Sequence, residues 1–209
     1  MSVQINKDTK LYGSFSINPV NNGCLFFNEK FESNGINAIY KSFYSDDIEK
    51  TIAAVKHLNF SGFALSNPHK ISVIPFLDAM DDVSYKIGAV NTVLNYNGML
   101  KGFNTDYFGV MEFFKLIDFK EPVNILGTGG FSKAIQHVCK DMNITYSLIR
   151  RNNFIDIYNK TNEIFINATP IDIILPNNTV IDLRPHTDQG KQVAKFQAEH
   201  QFKLYTNQL

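Results

Sequence analysis

Short apolar runs that break off into small polar residues alternate with segments of helical period along most of this chain. That rhythm restricts the fold more than any single motif. Lys10-Leu11-Tyr12-Gly13-Ser14-Phe15-Ser16 reads as a strand ending in hydroxyls. Pro19, Asn21, Asn22 and Gly23 mark a loop, and Leu25 to Phe31 carries apolar residues at helical spacing. Ala38 to Phe43 reads as a second strand. Ser45 or Asp46 caps a helix through about Leu58, with Ile48, Ile52 and Val55 on one face. Gly62 to Leu65 is a short buried strand that runs into Ser66-Asn67-Pro68-His69-Lys70, with Pro68 where a helix starts. Strands alternating with helices in this way predict an α/β domain with parallel strands. Ligands of such sheets gather at the carboxyl ends of the strands, and Ser14, Ser16, Ser66 and Lys70 fall at those ends.

Lys70 admits two readings, a surface lysine or a functional one. In a first helical turn its ammonium meets the positive end of the helix dipole, which favours the functional reading and calls for a nearby carboxylate. Ile87 to Asn95 followed by Gly98 to Gly102 predicts a hairpin turning at Tyr96-Asn97-Gly98. Asn91 interrupts its apolar run and needs partners from the backbone or from a ligand. Lys101-Gly102-Phe103-Asn104-Thr105-Asp106-Tyr107-Phe108-Gly109 is the pivot of the chain. Asn104, Thr105 or Asp106 can cap the helix that extends to Leu116. Asp106 at such a junction can equally orient a catalytic group, and the two readings are compatible.

A second region opens at Val123-Asn124-Ile125-Leu126-Gly127-Thr128-Gly129-Gly130, followed by a helix from Phe131 to Cys139. Strand, glycine turn and helix form the context of a dinucleotide site, where glycines admit a pyrophosphate and the helix N-terminus attracts it. Ser132 stands where a third glycine is usual. The next strand, Thr145 to Ile149, ends in Arg150-Arg151-Asn152. Those arginines are either a solvated loop pair or partners for the 2′-phosphate of NADP, and the glycine turn one strand earlier favours NADP. Ile164 to Pro170 and Val180 to Leu183 read as further strands, and helical spacing returns from Thr187.

The 209 residues suffice for one large domain or two small ones, and 44% hydrophobic content with 19% charged residues provides for a packed core. A formal net charge of zero supplies no basic field for nucleic acid or an anionic membrane. No run spans a bilayer, and the first residues lack a signal pattern. Cys24 and Cys139 have no metal spacing and read as reduced thiols of a cytoplasmic protein.

In order, these segments resemble the shikimate dehydrogenase family, and within it the shikimate-dehydrogenase-like subgroup. Gly13-Ser14-Phe15-Ser16 is similar to the paired-serine motif. Leu65-Ser66-Asn67-Pro68-His69-Lys70 resembles V-T-x-P-x-K. Ile87 to Val93 matches I-G-A-V-N-T-V, and Gly102 to Gly109 matches G-x-N-T-D-x-x-G. Gly127-Thr128-Gly129-Gly130 resembles G-A-G-G, Arg150-Arg151-Asn152 stands where N-R-T is usual, and Asn167-Ala168-Thr169-Pro170 matches N-A-T-P. Phe196-Gln197-Ala198, with Gln201 to Thr206, resembles the closing helix.

The resemblance implies reversible, NADP-dependent interconversion of shikimate and 3-dehydroshikimate in chorismate biosynthesis. Lys70 and Asp106 would form the acid-base pair. Ser14 and Ser16 would hold the ring carboxylate, and Ser66, Asn91, Asp106 and Gln197 the ring hydroxyls. Gly127, Thr128, Gly129, Gly130, Phe131, Arg150, Arg151, Asn152 and Thr169 would bind NADP. No metal is implied, and the chain would act as a monomer or homodimer. An N-terminal three-layer α/β substrate domain (1–104, completed by the C-terminal helix 187–209) would precede a reduced Rossmann-like domain (105–186).

The departures are specific. A register with Ser16 and Asn18 at the carboxylate positions competes with Ser14 and Ser16; the latter is preferred, because Gly23 to Asn28 then reads as a subgroup insertion. Only Asn153 to Glu163 separates the arginines from the next strand, where the family has a further helix and strand. A glycine-rich segment near Gly190 is missing, and Leu183-Arg184-Pro185 lacks a tyrosine. Two alternatives follow: a dehydrogenase that also takes quinate, or a shikimate-binding remnant with weak cofactor affinity.

Overall fold

The computed structural model describes residues 5–208, in two compact units. The first runs to Thr105 and takes in the chain from His200 on; the second is Asp106–Glu199. The C-terminal segment is thus divided at His200, its earlier residues belonging to the second unit.

In the first unit, β1 (Lys10–Ser16), β2 (Ala38–Tyr44) and β3 (Gly62–Leu65) are parallel, with β1 between the other two. Helices α1 (Asn22–Ser33) and α2 (Ile48–His57) make the crossovers that parallel neighbours require. The remaining elements are α3 (His69–Ser72), β4 (Ala79–Met80), α4 (Asp82–Ile87), β5 (Thr92–Tyr96) and β6 (Met99–Phe103). They complete a six-stranded mixed sheet of order β2-β1-β3-β5-β6-β4. The β5–β6 hairpin turns at Asn97-Gly98, both at positive φ.

The face of this sheet toward α2 buries Phe15, Ile52, Val55, Phe63, Leu65, Val90, Val93 and Leu100. Residues of β1 on the other face meet an aromatic cluster: Tyr12, Phe27, Phe31, Tyr40, Phe202 and Tyr205. Phe27 and Phe31 sit four apart on α1 and are the buried residues of that helix.

Two local expectations change. The cap of α2 is Asp47, whose carboxylate accepts from the Lys50 N–H, not Ser45 or Asp46. The Ser45 hydroxyl instead lies against Thr51 Oγ1. Ile87 belongs to α4, capped by Asp81 and closed by Gly88 at φ 65, so the hairpin strand begins at Thr92. Gly23 to Asn28 lies in α1, the β1–β2 crossover.

The second unit contains α5 (Thr105–Phe114, whose first residue belongs to the first unit), β7 (Val123–Leu126), α6 (Gly130–Asp141), β8 (Tyr146–Ile149), β9 (Ile164–Asn167) and β10 (Thr179–Asp182). Most of α7 (Asp188–Tyr205) lies here too. Its sheet is parallel, ordered β10-β9-β7-β8. The chain leaves β7 for one side and returns on the other, so the strand order reverses beside β7, the place where open α/β sheets bind ligands. One face of the sheet is covered by Val110, Phe113, Phe114, Ile135, Val138 and Val193 from the helices. The other is thinner: Ile157, Ile173 and Leu175 cover Leu126 and Phe165. Between β8 and β9 the chain makes 3₁₀ turns over Arg151–Asn159 and no α-helix. This agrees with the short spacing in the sequence. Gly109 lets α5 and α7 approach: a Cβ there would stand 2.8 Å from Val193 O and from Gln197 Cβ.

Candidate active site

In the first unit the residues singled out from the sequence cluster around the loop after β3. The Leu65 N–H donates to Asn91 O (2.8 Å) and the Ser66 N–H to Phe15 O (3.1 Å), so this loop joins the ends of β1 and β3 to Asn91. Ser66 is exposed at the loop surface. His69 is buried, and its Nε2 pairs with Ser45 O at 2.8 Å, which fixes the start of α3. Lys70 follows, half-buried, and its carbonyl accepts from the Val90 N–H at 2.7 Å.

The next residue, Asn91, is 3% exposed. Its Oδ1 accepts from the Thr105 backbone N–H at 2.7 Å, and it also faces Thr105 Oγ1 (3.0 Å) and Thr92 Oγ1 (3.1 Å). A backbone N–H can only donate, so the oxygen end of the amide is turned to α5. Its Nδ2 donates to no described residue and remains available to a ligand. Asp106 follows Thr105 in the first turn of α5, where the helix dipole favours a carboxylate, and it is 6% exposed.

The paired serines differ. Ser16 is buried, and its hydroxyl makes no hydrogen bond among the described residues. The Ser14 hydroxyl donates to Ser42 Oγ (3.0 Å), and Ser42 donates onward to Val20 O (2.8 Å), with Cys24 Sγ at 3.3 Å from Ser42 Oγ. Ser14 is thus joined through Ser42 to the wall formed by α1 and the loop before it. Ser16 is common to both registers of the serine pair. Asn18, its partner in the competing register, is exposed.

In the second unit, Gly127 follows β7 at φ +108, a conformation that glycine adopts without strain. A Cβ there would lie 3.1 Å from Thr169 Cγ2. Thr128 and Gly129 are exposed, and a Cβ on Gly129 would meet nothing within 4 Å. No side chain caps α6, whose first turn holds Gly130 and Phe131. Ser132 is fully buried, and its hydroxyl donates to Gly127 O (2.7 Å) while Gln136 Nε2 donates to it (3.2 Å). The residue replacing the third glycine therefore closes the turn.

Arg150, Arg151 and Asn152 are exposed beyond β8, and neither arginine has an ion pair among the described residues. Thr169 is drawn inward: its hydroxyl donates to Asn167 Oδ1 (2.8 Å) and accepts from the Ile171 N–H (3.1 Å). What it offers a cofactor is a methyl group and backbone. An open glycine turn, an uncapped helix and two unpaired guanidiniums fit a phosphorylated dinucleotide. Gln197 lies half-buried on α7, packed against Gly109.

Beyond β10, Arg184 bridges Asp182 (2.6 Å) and Asp172 (2.7 Å). Burial alone would push the Asp182 carboxyl up, but hydrogen bonds from Arg184 bring it below the usual carboxylate range. Among the described residues no helix is long and apolar enough to cross a membrane, and no cluster of His, Cys, Asp and Glu could hold a metal ion.

Thr92, Ser132 and Ser42 were not singled out as site residues from the sequence. Thr92 lay inside a matched motif, which was the available signal. The partners of Ser42 are 18 and 28 residues away in sequence, and no local pattern marks it.

Comparison with known proteins places these features in context. The family model for the shikimate dehydrogenase substrate binding domain matches residues 19–93. A shikimate dehydrogenase-like protein of Haemophilus influenzae is 38% identical over 133 residues, 63% of this chain and 49% of that protein. A shikimate dehydrogenase (NADP(+)) of Aquifex aeolicus is 31% identical over 192 residues, 85% of this chain and 66% of that protein. The chain spans about half the length of several curated relatives it matches. Among solved structures, a shikimate 5-dehydrogenase-like protein superposes with a TM-score of 0.81 at 29% identity, covering 98% of this chain and 94% of that one.

Proposed function

Because the chain belongs to the shikimate dehydrogenase family, we propose that it reversibly reduces 3-dehydroshikimate to shikimate with NADPH. One observation carries the reading. Two consecutive residues, Val90 and Asn91, hold the Lys70 carbonyl and the Thr105 N–H. The segment bearing the amine and the segment that leads into Asp106 are thereby tied to one point of the chain.

In the reducing direction the Lys70 ammonium gives a proton to the ketone oxygen as it gains charge. In the oxidising direction the Lys70 amine takes the hydroxyl proton. Asp106 holds that ammonium and shares the proton's path. Ser16 donates to the ring carboxylate; the Nδ2 of Asn91, Ser66 and Gln197 bind ring hydroxyls, which selects a polyol ring. Gly127 to Phe131 and the first turn of α6 hold the pyrophosphate, and Arg150, Arg151 and Asn152 the 2′-phosphate. When bound, the nicotinamide supplies the hydride. The substrate region comprises residues 1–104 with the end of α7, and the cofactor region 105–186.

Steady-state assays with shikimate and quinate, each against NADP and NAD, test the reading. Shikimate-dependent reduction of NADP is expected, and its absence at enzyme concentrations in the micromolar range refutes it. A second reading, a shikimate binder with weak turnover, draws support from the missing helix between β8 and β9. Separate calorimetric titrations with shikimate and NADPH distinguish the two: shikimate binding alone favours the binder.

A further inference from the structure

We propose that Thr92 and Thr105 are positioning residues for Asp106, acting with the carbonyl end of Asn91 as a clamp on the first turn of α5. The inference rests on the assignment of Asp106 to the proton-transfer pair. The three side chains form a closed triangle: Thr105 Oγ1 to Asn91 Oδ1 at 3.0 Å, Thr92 Oγ1 to Asn91 Oδ1 at 3.1 Å, and the two hydroxyls 3.0 Å apart. The Thr105 N–H enters the same oxygen at 2.7 Å.

The donors outnumber the lone pairs. An amide oxygen accepts two hydrogen bonds well, and the Thr105 N–H takes one of them. One hydroxyl takes the other, and the second hydroxyl then donates to the first. The three side chains are thereby linked in one hydrogen-bonded chain, which ties the Thr105 hydroxyl and its backbone N–H to the same group.

Burial makes this arrangement rigid. Thr92 and Thr105 are fully buried and Asn91 is 3% exposed, so no water can replace a lost partner at small cost. Stability alone does not call for it, since apolar residues of similar shape would fill the same space without the desolvation of polar groups. The arrangement instead supplies direction. The first turn of a helix has N–H groups with no intrahelical partner, and a fixed acceptor there sets where the helix starts. Here the acceptor comes from fourteen residues upstream, and the residue immediately after the clamped one is Asp106. A carboxylate that shares a proton's path must stay within a few tenths of an ångström of its position to act. The hairpin strand β5, through Thr92, thereby fixes the position of Asp106.

The test uses Thr105→Val, which keeps the shape and removes the hydroxyl, Thr105→Ser, which restores it, and Thr92→Val. Each is assayed alone and in an Asp106→Asn background. Thr105→Val and Thr92→Val are expected to lower kcat about tenfold, the scale of one buried hydrogen bond. The pH dependence of kcat should move, while the NADPH dissociation constant does not change. Thr105→Ser should return to within about twofold of the parent. In Asp106→Asn the valine substitutions should cost nothing further, because the group they position is gone.

A kcat loss that persists in Asp106→Asn, or a lowered Tm with kcat and pH profile unchanged, overturns the clamp as a positioning device. An Asp106→Asn variant as active as the parent would instead remove Asp106 from its role, a separate failure. Amide hydrogen exchange at Thr105 gives a readout that needs no turnover. It should accelerate at least tenfold in Thr105→Val, and unchanged exchange overturns the proposal.

Discussion

Gly127 and Gly129 stand two residues apart in one turn, and the structure gives them different reasons to be glycine. Gly127 has φ +108, and a Cβ would press on Thr169 Cγ2 at 3.1 Å. Alanine there must hold a conformation L-residues rarely adopt, at a cost of about 1–3 kcal/mol. At about 2–4 °C per kcal/mol for a chain of this size, Gly127→Ala should lower Tm by roughly 2–12 °C. Gly129 has φ −74 and ψ −179, ordinary extended backbone, and its Cβ would meet nothing within 4 Å. Gly129→Ala should therefore leave the fold intact, and fewer unfolded conformations should stabilise it by up to about 1 kcal/mol. Its methyl would occupy the space through which a pyrophosphate reaches the α6 N–H groups. NADPH affinity should fall tenfold or more, about 1.4 kcal/mol per decade. Differential scanning calorimetry without ligand, paired with fluorescence titration of NADPH, separates the two effects. A Gly129→Ala variant that binds NADPH like the parent refutes the assignment of this turn. A Gly127→Ala variant as stable as the parent refutes the strain argument.

Other outcomes follow from the same geometry. Lys70→Ala should cut turnover about 10²–10⁴-fold with a smaller change in shikimate binding, and near-normal kcat would remove Lys70 from proton transfer. Replacing both Arg150 and Arg151 with alanine should raise the KM for NADPH while leaving that for NADH nearly unchanged; equal effects on both would detach the pair from the 2′-phosphate. Burial pushes the Cys139 thiol up to about 12, whereas Cys24 is partly accessible on α1. A thiol-disulfide reagent at pH 8 should titrate one thiol in the folded protein and the second only after unfolding. Two fast-reacting thiols would contradict the packing of α6.

The parallel strands and the glycine turn were legible because each rests on local pattern. Apolar runs end where the strands end, and Gly127 to Gly130 lies between a strand and a helix as its spacing requires. What the sequence did not reveal depends on partners far along the chain. Ser45, Asp46 and Asp47 are all plausible caps by residue type; Asp47 takes the position while Ser45 turns to Thr51 and His69. Ile87 to Val90 is apolar enough for a strand, yet Asp81 and Gly88 bracket a single helical segment before it. Those two cap signals were present and were outweighed by hydrophobicity. Ser14 reads as a ligand donor, and nothing local marks its hydrogen bond to Ser42, 28 residues later. Asn91 was recognised as needing partners, but nothing local indicated that its oxygen would cap α5.

The end of α7 bears on how this protein can be dissected. Tyr205 packs tilted against Tyr12 at 4.5 Å between ring centroids and accepts the Tyr12 hydroxyl on its carbonyl, and Phe202 covers Phe31. Each of these rings contributes about 1.5–3 kcal/mol by burial. The match to residues 19–93 suggests a severable module, but cutting the gene after Thr105 would strip two rings from a continuous aromatic layer and leave Tyr12 and Phe31 wet. A working minimal version has to splice the last turns of α7 back on, as a circular permutant or a fusion through a flexible tether.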